Sequence, residues 1–168
     1  MKACICFYGI VHRSLKYTFP SIKKNIIEVL KEKQIDIDIY ISTYKTETLI
    51  DGRMSGNEKN TKIDVKDIFL FEEFNVKKYS IIDFPNLEEI LKKTKERKDP
   101  WNNDFKSVKN LLNELYSIKD VTKCWEEKDN KYDLYLYLRA DLIYENNLPI
   151  DRILNNLKSK TVYLPSWG

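Results

Sequence analysis

A chain of 168 residues, 42% apolar and 33% charged, is about one domain with enough apolar side chains for a core of its own. Four glycines and five prolines exclude fibrous and low-complexity classes. Its 29 basic and 26 acidic side chains leave a net charge of +3, too balanced to point to a nucleic-acid partner.

Residues 3–10 form a continuous apolar run that predicts a buried parallel strand, and Gly9 allows a tight exit from it. A polar loop is expected over 11–18. A helix follows over 19–33, with Pro20 in its first turn and Ile22, Ile26, Ile27, Val29 and Leu30 at helical spacing. Ile35, Ile37, Ile39 and Ile41 alternate with Asp36, Asp38, Tyr40 and Ser42, a second strand that completes a βαβ unit. Residues 45–62 are polar, contain Gly52 and Gly56, and predict a mobile loop.

The spacing then predicts a short helix over 65–74, a third strand over 77–83 and a helix over 85–97, ended by Lys98-Asp99-Pro100. A long helix starts near Asn103 or Asp104, either of which can cap it, and runs through Trp125. After a charged turn at 126–130 come a strand over 132–144, a helix over 149–157 and a last strand over 161–164. Strands alternating with helices define a three-layer, Rossmann-like α/β fold, with a mostly parallel sheet covered by helices on both faces. The chain reads as a single domain over residues 1–168.

Cys4 and Cys6 lie two apart on one strand face, which suits packing better than a disulfide. With Cys124 they make an odd number of thiols and no Cys/His cluster, as in a reducing compartment. The N-terminus is a poor signal peptide, and no window approaches 18 apolar residues. A cytoplasmic location and no membrane span are therefore expected.

In open parallel sheets, ligands bind beyond the carboxyl ends of the strands. That directs attention to three places. On the strand over 132–144, Tyr135, Tyr137, Arg139 and Asp141 share the face opposite Leu134, Leu136, Leu138, Ala140 and Leu142. A carboxylate at that strand end can bind Mg²⁺ or Mn²⁺ bridging a diphosphate, and a guanidinium beside it can hold phosphate in a fork. A structural Arg–Asp pair explains the same spacing. The loop Gly9-Ile10-Val11-His12-Arg13-Ser14 precedes the first helix, where free N–H groups attract anions and Arg13 adds positive charge. An ordinary loop with a solvated arginine is the alternative. There is no GxGxxG or Walker A motif, which argues against a dinucleotide fold or a P-loop NTPase.

The third place is Thr43-Tyr44, where a hydroxyl and a ring could contact a ribose or a base, or simply end a strand. His12 is the only histidine, so neither a triad nor a histidine metal cluster can be argued around it. The lysine-rich helix faces alternate with acids and read as solvated.

Taken in order, these segments resemble a known family. A first strand ends Phe7-Tyr8-Gly9 with Arg13-Ser14 in its loop, and a second ends Ser42-Thr43-Tyr44. A long helix carries Phe105-Lys106-Ser107, and Tyr132-Asp133 leads to Leu138-Arg139-Ala140-Asp141-Leu142. The closing Tyr163-Leu164-Pro165-Ser166-Trp167-Gly168 is similar to the segment that follows the donor site in such proteins. The series resembles GT-A-like glycosyltransferases of large DNA viruses and microbes, including chlorovirus-type enzymes.

The resemblance implies a nucleotide-diphosphate sugar (a UDP, GDP or dTDP sugar) as donor and a glycan or protein as acceptor. It places Gly9, Arg13, Thr43, Tyr44, Ser107, Arg139 and Asp141 around the donor, and Asp141 on Mn²⁺ or Mg²⁺. It also points to a viral protein, for which the cytoplasm would be the host's. Two departures shape that expectation. The usual acidic motif is Asp-x-Asp, and its first position here is Arg139. GT-A enzymes also continue well beyond this length, so the expectation is a donor-binding, N-terminal part of a longer protein, with no catalytic base identified in it. The other class kept open is a non-catalytic α/β module that binds a nucleotide or a partner.

Overall fold

Strands and helices alternate from the first residues onward. The computed structural model describes residues 1–50, 59–95, 99, 102–127, 131–157 and 162. Strand β1 (Lys2–Tyr8) leads through a 3₁₀ turn (Val11–Arg13) into α1 (Leu15–Ile22), a π-helical stretch (Lys23–Glu28) and α2 (Val29–Glu32). Then follow β2 (Asp36–Tyr44), β3 (Thr48–Ile50), β4 (Lys59–Lys62), a 3₁₀ segment (Val65–Glu73) and β5 (Val76–Ile82). The chain continues through α3 (Glu88–Lys95), α4 (Lys106–Glu126), β6 (Leu134–Arg139) and α5 (Ile150–Asn155).

The main sheet has four strands in the order β5-β2-β1-β6. All three of its pairings are parallel. The fold is therefore α/β with an all-parallel sheet, as Rossmann-like folds have. Its two faces are covered by different parts of the chain. Ala3, Ile5 and Phe7 of β1 join Ile39 and Ile41 of β2 in a core with Leu15, Ile22, Ile26, Ile27 and Leu30 of the first helical run. Phe71 of the 3₁₀ segment closes this core, stacked on Phe7 with ring centroids 4.5 Å apart. Each such buried aliphatic side chain is worth about 1.5–3 kcal/mol.

The alternate residues Cys4 and Cys6 meet Tyr40, Tyr132, and Val121 and Cys124 of α4 on the opposite face. All three cysteines are free and buried, with the Cys4 and Cys6 sulfurs 3.6 Å apart. They pack, as the strand spacing predicts.

The structure shifts several sequence-based boundaries. The helix expected from residue 19 begins at Leu15, so Pro20 lies inside α1 rather than at its start. The stretch expected to be a loop over 45–62 contains β3 and β4, which pair antiparallel; Gly52 and Gly56 lie outside the described residues. The strand expected over 132–144 ends at Arg139, and Asp141 stands in the turn after it. The strand expected over 161–164 lies outside the described residues apart from Val162. Asn103 helps to start α4, its side-chain oxygen accepting the Ser107 N–H at 3.3 Å, while Phe105 before the helix has φ 57°. Among the described residues no helix is long and apolar enough to cross a membrane.

Candidate functional site

The chain steps outward from β1 to β2 to β5, then returns to place β6 on the other side of β1. After β1 and after β6 the chain turns onto the same face of the sheet, where α1 and α5 pack in one apolar core. Open parallel sheets take ligands beyond the carboxyl ends of their strands. In register there, Tyr8 of β1 pairs with Arg139 of β6.

Arg139 is the last residue of β6. Its Nε and Nη2 donate to the two oxygens of Asp141 at 2.9 and 2.8 Å. Its Nη1 lies 3.7 Å from Glu114 of α4, a charge contact rather than a hydrogen bond. Tyr8 and Tyr144 flank the group. Burial pushes the Tyr8 hydroxyl up, with Glu114 acting the same way and Arg139 against it. Burial also pushes Tyr144 up to about 12. Both phenols are neutral donors at ordinary pH.

The turn that carries Arg139 and Asp141 is clamped to the first helical run. Thr18 donates to the Ala140 carbonyl at 2.5 Å, and Ser21 accepts the Tyr144 N–H at 3.1 Å. Asn25 donates to the Tyr144 carbonyl, and Tyr144 donates back to the Arg139 carbonyl at 2.9 Å. Thr18, Ser21 and Asn25 are three and four residues apart, so one helix face presents all three to the turn. Sequence reading missed these three, and missed Glu114 and Tyr144. Polar residues at helical spacing on an otherwise apolar face were the available signal for the clamp. Nothing local marks Glu114 among the acids of α4; only the packing of α4 across the sheet brings it to Arg139.

The other expected site residues have different placements. Gly9 stands at the carboxyl end of β1 with φ +91°, and a side chain there would meet open space. Its carbonyl accepts the Tyr44 N–H at 3.2 Å. Arg13 is half-buried at the end of the 3₁₀ turn.

Thr43 is fully buried. Its Oγ1 accepts the Val11 N–H at 3.0 Å and meets His12 Nδ1 at 3.1 Å. His12 Nε2 lies 2.8 Å from the Thr46 carbonyl and must donate to it, so Nδ1 accepts the Thr43 proton. Thr43 thus binds the loop to β2 and has no surface to offer a ribose. Tyr44 is also buried, donates to the Asn113 carbonyl at 2.6 Å and stacks on Phe84 with centroids 4.1 Å apart. Burial pushes its hydroxyl up to about 12. Ser107 accepts from Asn103 at 2.7 Å and lies seven residues before Glu114 on α4, about 10 Å further out along the helix. The structure therefore places Arg139 and Asp141 together at the strand ends beside Gly9, turns Thr43 and Tyr44 inward, and leaves Ser107 further out along α4.

Among the described residues no group of three or more His, Cys, Asp or Glu side chains is arranged to hold a metal ion. Asp141, the expected ligand of Mg²⁺ or Mn²⁺, gives both oxygens to Arg139. Its side chain is 18% exposed, against 43% for Arg139. As arranged, the pair does not fit a divalent ion. Comparison with protein-family models, with curated proteins and with solved structures finds no match to this chain.

Proposed function

We propose that this chain is a glycosyltransferase, or its donor-binding domain, that takes a nucleotide-diphosphate sugar in the crevice between β1 and β6 and transfers the sugar to an acceptor. One observation carries the reading: an arginine on a clamped turn stands at the carboxyl end of β6, in register with the end of β1 just before Gly9, where a side chain would meet open space. That is a place for a phosphate-bearing ligand. The three-layer GT-A architecture and the viral setting belong to the same reading and rest on the sequence resemblance, while a cytoplasmic location rests on the odd number of thiols.

In such a reaction the anomeric carbon–oxygen bond to the diphosphate breaks as the acceptor oxygen bonds to that carbon. The negative charge gathered on the leaving diphosphate needs positive charge in front of it. The chain supplies Arg139 there. The rest of the rate would come from holding donor and acceptor in line.

A thermal-shift panel of UDP-, GDP- and dTDP-sugars, each with and without Mn²⁺, tests the proposal. A donor at a hundred times its Kd adds about 2.7 kcal/mol, roughly 5–10 °C for a chain of this size. A rise with one nucleotide class supports it, and no rise with any donor removes it. The pairing of Asp141 with Arg139, in place of two free acids, favours one further reading: a module that binds a nucleotide without turnover. Release of nucleoside diphosphate on incubation with the bound sugar donor separates the two.

A further inference from the structure

We infer that the Arg139 guanidinium binds the diphosphate directly, without a divalent ion, and that Asp141 is a positioning residue that aims it. The inference rests on the donor-site reading but changes which side chain meets the ligand.

A guanidinium has five N–H donors on three nitrogens, and two of its edges can each hold an oxyanion in a fork. Asp141 occupies the Nε–Nη2 edge. The Nη1–Nη2 edge then points away from Asp141. Among the described residues its one charged neighbour is Glu114, at 3.7 Å. The side chain left reachable is the cation, and the acid is the better covered of the two. A metal ion bound by Asp141 would have to break two hydrogen bonds and then sit beside the displaced guanidinium, where like charges repel. A phosphate has only to displace the Glu114 contact, which at 3.7 Å is too long for a hydrogen bond.

The mounting supports the same assignment. Backbone groups of residues 139, 140 and 144 are held by Tyr144, Thr18, Ser21 and Asn25, so the turn is fixed before any ligand arrives. Asp141 then fixes the rotation of the guanidinium within it. Glu114 opposes the ligand. Two acids and one arginine leave this cluster with one excess negative charge, and the incoming anion must displace the Glu114 contact.

The test titrates inorganic pyrophosphate, and separately UDP, GDP and dTDP, into the protein in EDTA and then in Mn²⁺, by calorimetry. Pyrophosphate is expected to bind equally well in both. Arg139→Lys keeps the charge but loses the fork, and should weaken binding about tenfold. Glu114→Gln should tighten binding about threefold by removing a like charge near the site. Asp141→Asn should weaken binding without introducing any dependence on Mn²⁺. Melting curves check that each variant is folded.

Binding that vanishes in EDTA, is lost in Asp141→Asn and survives Arg139→Lys would overturn the inference and make Asp141 a metal ligand, with the donor reading intact. Glu114→Gln binding more weakly than the parent would also overturn it. If pyrophosphate binds through Arg139 but no nucleotide or sugar nucleotide does, the inference stands and the donor reading fails. If neither pyrophosphate nor any nucleotide binds, both fail.

Discussion

Each end of the parallel sheet carries an aspartate held by a cation, and the two are built in opposite ways. At the amino end, Asp38 of β2 is buried, with its side chain 2% exposed. It accepts from Tyr132 at 2.9 Å and Asn75 at 2.7 Å, and pairs with Lys2 at 2.7 Å and Lys77 at 3.5 Å. Tyr40 extends the network by bonding to Tyr132 at 2.9 Å. Every lone pair there has a partner, and cations outnumber the acid. At the carboxyl end Asp141 has one arginine, a second acid stands close by, and the guanidinium is open to solvent. A sealed, oversupplied network fixes strand positions. An open pair with excess negative charge and an unfilled donor edge is built for exchange.

Removing Asp38 should break the sealed end and give the largest effect. Asp38→Ala takes the carboxylate acceptor from the Tyr132 hydroxyl and the Lys2 ammonium and leaves the Asn75 amide only its 3.4 Å contact with the Ile37 carbonyl; it should cost about 3 kcal/mol, or roughly 6–12 °C in Tm. Its pH dependence follows from its surroundings. Burial raises the Asp38 pKa, but hydrogen bonds from Lys2 and Tyr132 outweigh burial and hold it below its ordinary value. A carboxyl with a depressed folded pKa contributes stability above its unfolded pKa. That contribution is lost as pH falls through the folded value. Denaturant midpoints of the parent should therefore fall steeply below about pH 4, and those of Asp38→Ala less steeply.

Two more residues at the carboxyl end, Thr43 and Gly9, sharpen the comparison. Thr43→Val strands the Val11 N–H and His12 Nδ1 in a buried site and should cost about 2 kcal/mol, read as a lower urea midpoint at unchanged slope. An unchanged midpoint would mean the Thr43 hydroxyl is not what holds the loop to β2. Gly9→Ala meets no atom but must adopt φ +91°, and should cost about 1 kcal/mol on the same measurement.

The strands of the main sheet were legible because apolar runs and alternation are local signals. The polar partners in β2 misled in an instructive way. Asp38 and Ser42 look like the wet side of an alternating strand, yet both are buried, Ser42 under α4 and Asp38 beneath Tyr132 and Asn75. Ser42 is paired with Asp120 of α4 at 2.8 Å, seventy-eight residues away. Placing Arg139 and Asp141 together needed only their spacing. What the spacing could not show was that Asp141 is used up by Arg139, that Glu114 arrives from a helix, or that Thr43 and Tyr44 turn inward. Those depend on how helices cross the sheet, which no local pattern encodes.

Arg139→Ala carries the smallest expected change in stability and the sharpest test of the contrast. The pair it breaks is solvent-facing, and exposed pairs contribute about 1 kcal/mol or less. Loss of the guanidinium also leaves Glu114 and Asp141 as unopposed like charges, but water reaches both. The Tm should therefore fall by no more than roughly 2–4 °C, while pyrophosphate binding disappears. Asp38→Ala should do the reverse, lowering the Tm far more and leaving the affinity of the folded protein intact. If Arg139→Ala instead destabilises as much as Asp38→Ala, the two ends of the sheet are built alike. Arg139 and Asp141 would then be a structural pair, and the proposed donor site would lose its ligand-binding side chain.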